Sequence, residues 1–144
     1  RLQGTEARGV RVLPDTCIWS HALRRSDASS KHADELRRLI EDSQVGLIGP
    51  IRQEILSGIR VAAQAESLAE RLRDFVDLPL DFDDYERAAW YYTQAKANGV
   101  QGSNTDFLIC SAAVRYELMI YTVDDDFRRF STFLPISFHE PAPS

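Results

Sequence analysis

Short apolar runs alternate along the chain with longer segments whose apolar positions recur every three or four residues. The run at residues 10–13, stopped by Pro14, predicts a first strand ending at Asp15. Similar runs predict strands at 45–48, 75–80, 118–122 and 134–138. Helical spacing fills the intervals. A helix is expected over 16–24, with Asp15 able to cap it. A polar break at 26–30 follows, then a helix over 31–42 carrying Ala33, Leu36, Leu39 and Ile40 inward. Pro50 opens a helix in which Ile51, Ile55 and Ile59 share a face. The next helix, 62–74, turns Ala65, Leu68, Ala69 and Leu72 inward. For 83–98 the expected buried face is Ala88, Ala89, Tyr92 and Ala95, with Asn98-Gly99 as the stop. Ser103 or Asn104 caps a nearly all-apolar helix running to about Tyr116, the pattern of a helix buried on most sides. A short helix over 124–131 completes the pattern.

Strands alternating with helices imply an α/β fold, with a mostly parallel sheet covered by helices on both faces. Ligands of such sheets bind at the carboxyl ends of the strands. Asp15 and Asp124 fall at such ends, and Glu54 and Asp106 lie in the first turns of helices, so one rim can collect all four. A carboxylate beside buried sequence carries a desolvation cost, and converging carboxylates repel one another. A divalent cation relieves both, and all-oxygen ligands suit Mg²⁺ or Mn²⁺. The quartet therefore points to metal-dependent chemistry on phosphates. Taken singly, each acid has a plainer explanation. Asp15 can be a helix cap, and Asp106 and the run Asp124, Asp125, Asp126 suit helix starts. A glutamate such as Glu54 is common in a first turn.

The length, 144 residues, fits one domain, expected over 10–139 with flexible termini at 1–9 and 140–144. A 44% apolar fraction supplies a core. The net charge of −5 argues against broad non-specific nucleic-acid binding but allows a local basic rim. Cys17 and Cys110 form no CxxC pair and suit buried thiols in a reduced, cytoplasmic protein. No apolar run is long enough to span a membrane, and no signal-peptide pattern is expected in the polar start RLQGTEARG.

The segments DTCIW, QEIL, GSNTDFLICSAA and YTVDDDF together resemble a PIN-domain ribonuclease, and more narrowly the VapC-type toxins of toxin–antitoxin pairs. The likeness covers residues 10–138. It implies a PIN-like three-layer α/β/α sandwich and a metal-dependent endoribonuclease using Asp15, Glu54, Asp106 and Asp124. Metal ligands would be Asp15, Asp106 and Asp124, assisted by Asp126. Thr16 matches the hydroxyl residue beside the first aspartate. The resemblance further implies an RNA substrate, a small antitoxin partner and a homodimer, with the helices at 31–42 and 62–74 as docking or dimer surfaces. Basic residues would hold the RNA backbone, with Arg24, Arg25, Arg52, Lys96, Arg128 and Arg129 as candidates. Trp19, Tyr91, Tyr92 and Phe127 are candidates for base stacking. Cys17 replaces a residue often Ser in the family, and ANGVQGSN lacks an arginine often found before the third acid. None of His21, His32 and His139 is required.

Two other phosphate chemistries fit less well. A haloacid-dehalogenase-type phosphatase needs a second aspartate where Cys17 stands. A response-regulator receiver needs an early acidic pair and a late lysine, neither evident. A catalytically weak metal- and partner-binding domain of the same fold is the non-enzymatic alternative.

Overall fold

The computed structural model describes residues 9–23 and 30–141. The sequence-based expectations for residues 1–8, 24–29 and 142–144, including the flexible ends, Arg24 and Arg25, lie outside the described residues. The centre is a parallel pair of strands, β1 (Val12–Pro14) and β2 (Met119–Tyr121), with Val12 opposite Met119 and Pro14 opposite Tyr121. Three extended segments join through single parallel bridges: Val45 to Val12, Asp77 to Leu47, and Phe138 to Ile120. The resulting order across the sheet is 77, 45–47, β1, β2, 138. All five expected strand segments are present. Three of them are joined only by isolated bridges, two for the 45–47 segment and one each for the other two, too few to count as regular strands. Val12 and Leu13 project to opposite faces and both are fully buried, so helices cover the sheet on each side.

The helices are α1 (Thr16–Leu23), α2 (Lys31–Glu41), α3 (Gly49–Ser57), α4 (Ala62–Leu72), α5 (Phe82–Ala97), α6 (Asn104–Tyr116) and α7 (Asp126–Phe130). Local chemistry fixes several starts. The Ser30 hydroxyl accepts from the Ala33 amide at 3.1 Å, and Pro50 occupies the first turn of α3. Ile51 and Ile55 bury as their spacing predicts, while Ile59 lies beyond the end of α3. Helix α6 buries six residues from Phe107 to Ala113, as its composition requires.

The expected face of α5 is wrong by part of a turn. Its buried residues are Asp84, Ala88, Tyr91 and Ala95, while Ala89 and Tyr92 are exposed. Asp84 is the reason. It is fully buried, accepts from Arg87 at 3.1 Å and from the Asp81 amide at 2.8 Å, and pairs with Arg115 of α6. The Ser111 hydroxyl donates to its carbonyl at 2.7 Å. A buried carboxylate with these partners sets the rotation of the helix, because leaving it unpaired would cost several kcal/mol.

The C-terminal segment is clasped to α2 and β2. His139 Nε2 lies 2.5 Å from Glu35, which also accepts from Arg38 at 2.8 and 2.9 Å. The His139 ring packs edge-on to Tyr121 at 5.2 Å, and the Tyr121 hydroxyl is 2.7 Å from His32 Nδ1. The donors from Arg38, followed by His139, hold the Glu35 carboxyl below its ordinary value near 4.5. A depressed carboxyl contributes stability above its unfolded pKa, and that contribution disappears as pH falls through the folded value. Thermal melts should therefore show the wild type losing more stability below about pH 4.5 than Glu35→Gln does. Parallel acid profiles for the two proteins would rule this out.

Candidate active site

The end of β1 supplies the first functional group. Pro14 has no N–H, and the next amide, Asp15, donates to the Tyr121 carbonyl at 2.8 Å, carrying the pairing to the last residue of β2. The Asp15 carbonyl then accepts from Ile18 at 3.0 Å and starts α1. Its side chain, only 7% exposed, accepts from the Thr16 amide (2.7 Å), the Thr122 hydroxyl (3.0 Å) and Cys17 Sγ (3.4 Å). Burial pushes the Asp15 carboxyl above its ordinary range, these donors pull it back, and the negative charge of Asp124 raises it further.

Two hydroxyls tie the other acids to this centre. Thr16 donates to Glu54 Oε1 of α3 at 2.6 Å. Thr122 donates to Asp15 and itself accepts from the Asp124 amide at 3.0 Å. Asp124 Oδ1 accepts from the Asp126 amide at 2.9 Å and so closes the first turn of α7. Asp106 sits in a capping box with Ser103, at 3.0 and 3.1 Å. Burial raises its carboxyl, and the charges of Asp15 and Asp124 add to the rise. Asp15, Asp106 and Asp124 are thus near enough to influence one another. The plain capping roles for Asp106 and Asp124 are also present, so the same side chains serve helix starts and line the rim.

Among the described residues, no three His, Cys, Asp or Glu side chains converge closely enough to form a ready-made cation site. Each acid of the rim instead engages a nearby amide or hydroxyl. The donor set is still the one a hard cation takes: carboxylate oxygens, one of them buried, under mutual repulsion that a positive charge would relieve.

The flanking candidates divide. Arg52 spends its guanidinium on Asp77 at 3.0 Å and on the carbonyls of Leu72 and Phe75 at 3.0 and 2.6 Å. These bonds occupy the guanidinium and anchor the segment after α4. Arg128 pairs with Glu140 at 2.5 Å and lies over the Phe138 ring at 3.9 Å, while Asp126 pairs with Arg129 at 2.5 Å. Lys96 is exposed on α5. Trp19, Tyr91 and Phe127 are buried in the core, which leaves Tyr92 as the exposed aromatic of that set. Thr122 belongs to the YTVDDDF segment, but its bond to Asp15, 107 residues away, is not visible in the sequence. Its signal is a hydroxyl two positions before an acid at a strand end.

The PIN domain family model matches residues 12–132. No curated protein matches the chain in sequence. Among solved structures, FitAcB from Neisseria gonorrhoeae superposes with a TM-score of 0.71 at 23% identity, covering 90% of this chain and 97% of that one. VapBC2 from Rickettsia felis, bound to a DNA fragment from their promoter, gives 0.71 at 18% identity, covering 90% and 98%. VapBC-1 from nontypeable Haemophilus influenzae gives 0.69 at 15% identity, covering 91% and 98%. At these identities the structural likeness establishes the fold.

Thr122→Val keeps the shape and removes the hydroxyl that joins Asp15 to the Asp124 amide. The expected loss is about 1–2 kcal/mol in denaturant unfolding, with Thr122→Ser closer to wild type. Equal losses in both variants would assign the effect to packing.

Proposed function

This chain belongs to the PIN domain family, and on that premise we propose that it is a metal-dependent endoribonuclease acting as the VapC-type toxin of a toxin–antitoxin pair. The observation that carries this reading is the linked set of acids: Asp15 buried at the strand end, Thr122 joining it to Asp124, Thr16 reaching Glu54, and Asp106 coupled by charge. Mg²⁺ or Mn²⁺ would be held by Asp15, Asp106 and Asp124, with Asp126 at the margin. When bound, such an ion lowers the pKa of a water and offsets charge on a scissile phosphate. The chain's own part is to hold the acids in place through the hydroxyls of Thr16, Thr122 and Ser103. Asp106 or Asp124 is suited to orient the attacking water. Lys96 is the exposed cation of the flanking set best suited to steer an RNA backbone toward an acidic rim.

Two surfaces support the proposed partners. An apolar groove of about 730 Å³ runs between α1, α2 and α4, lined by Trp19, Leu36, Ile40, Leu68 and Leu72, with Arg37 and Arg71 also along it. Apolar anchors with acidic residues placed for Arg37 and Arg71 describe the antitoxin segment that would fill it. Helix α5 exposes Phe82 (72%), Trp90 (65%), Tyr85 and Tyr92. An aromatic face of this kind suits a protein contact. A second copy of the chain is the proposed occupant of this face, giving a homodimer through α5.

Cleavage of single-stranded RNA with Mn²⁺ or Mg²⁺ tests the activity. Asp15→Asn should reduce the rate on the order of 100-fold, the scale of removing one electrostatic contact at a reaction centre, and EDTA should abolish it. Undiminished cleavage by Asp15→Asn, or cleavage insensitive to EDTA, would remove the proposal. Sedimentation of the chain with the product of an adjacent small reading frame tests the surfaces. Leu68→Glu should lose the partner and keep the dimer, while Trp90→Glu should do the reverse. The opposite pattern would exchange the two assignments.

A further inference from the structure

A second cleft borders the Thr16–Glu54 bond. It has a volume of about 670 Å³ and is lined by Thr16, Gln53, Glu54, Ser57 and Thr105, with Pro50 and Gly58 in its wall. That volume lies within the range of small-molecule sites. Its composition is unusual beside a proposed phosphate-processing centre, because no Lys, Arg or His is among its described lining residues. A phosphate entering it would meet the Glu54 carboxylate, and no basic side chain among the described lining residues would offset the repulsion. A neutral group with hydrogen-bonding edges would instead find three hydroxyls and one amide. Gln53 and Ser57 lie on exposed parts of α3, one residue before Glu54 and three after it, and Thr105 faces them from the first turn of α6.

Resting on the nuclease reading, we infer that this cleft is a nucleobase subsite and that Gln53 and Glu54 read the base next to the scissile phosphate. The chemistry selects among bases. Glu54 only accepts hydrogen bonds, and one of its oxygens already faces the Thr16 hydroxyl at 2.6 Å. Its free acceptor capacity favours an exocyclic amino group. The Gln53 amide offers a donor and an acceptor side by side, which matches the N6 and N7 edge of adenine. Uracil presents carbonyl oxygens where the amino group of adenine or cytosine would be, and those oxygens face the carboxylate unfavourably. The subsite therefore takes an amino-bearing base, adenine foremost, and rejects uracil. An unpaired strand is required, because only a splayed base can enter a side cleft.

The test is cleavage of an unstructured RNA carrying a randomised stretch, with Mn²⁺, followed by sequencing of the new ends. The wild type should enrich adenine over uracil about tenfold at one position beside the cut, the scale of one bidentate base contact. Gln53→Ala, at an exposed position, should still cut but lower that enrichment to below about threefold. Thr105→Val should lower it as well. Enrichment of uracil, absence of any base preference, or an unchanged profile in Gln53→Ala would each overturn the subsite while leaving the nuclease standing. If the wild type cuts no RNA at all, the nuclease reading itself fails and the subsite fails with it.

Discussion

The parallel pairing of β1 with β2 is the constraint on which the rest of the molecule depends. Its register sets Pro14 opposite Tyr121, and the residues that follow each strand, Asp15 and Thr122, then come within hydrogen-bond distance. A slip of one residue would turn Val12, Leu13 and Ile120 toward the wrong faces of a sheet buried on both sides. The hydrophobic core therefore fixes the acidic rim. Side chains that never meet a ligand determine, through register alone, that a carboxylate from the start of the chain meets a hydroxyl from its end.

Burial of Asp15 has a physical cost, and its surroundings offset that cost in stages. An amide, a hydroxyl and a thiol donate to the side chain, yet desolvation still outweighs them. Asp84 presents the contrasting case. It is more deeply buried, but Arg87 and Arg115 flank it. One carboxylate is neutralised by the protein and serves to lock α5 against α6. The other is supplied only with neutral donors, which is the condition expected of a group whose counter-charge comes from outside the chain.

This contrast also explains which parts of the fold were legible in the sequence. Periodicity located the helices and the five extended segments, because burying apolar residues leaves a direct trace at fixed spacing. It misassigned the inner face of α5, because Asp84 occupies an inward position that a pattern of apolar residues treats as outward. The bonds of Arg52 were hidden for a related reason. A cation in a first turn looks like surface charge until the carbonyls of Leu72 and Phe75, about twenty residues away, are found around it. Asp15, Asp106 and Asp124 were legible because each stands at a boundary between apolar sequence and a helix start, whereas Glu54, expected in a first turn, lies past the first turn of α3. Thr122 was harder to see, since hydroxyls are common in loops and its importance arises only when Asp15 lies opposite.

The separation of Asp15 from Thr122, 107 residues along the chain, has a consequence for synthesis. A polypeptide emerging from the ribosome exposes β1 and α1 early, but β1 lacks its central neighbour until β2 has been made. Contacts this distant in sequence form late and carry a large loop-closure cost. The acidic rim is therefore among the last features to assemble. A chain on which β2 has not yet been made lacks the contact between Asp15 and Thr122 that orders the rim.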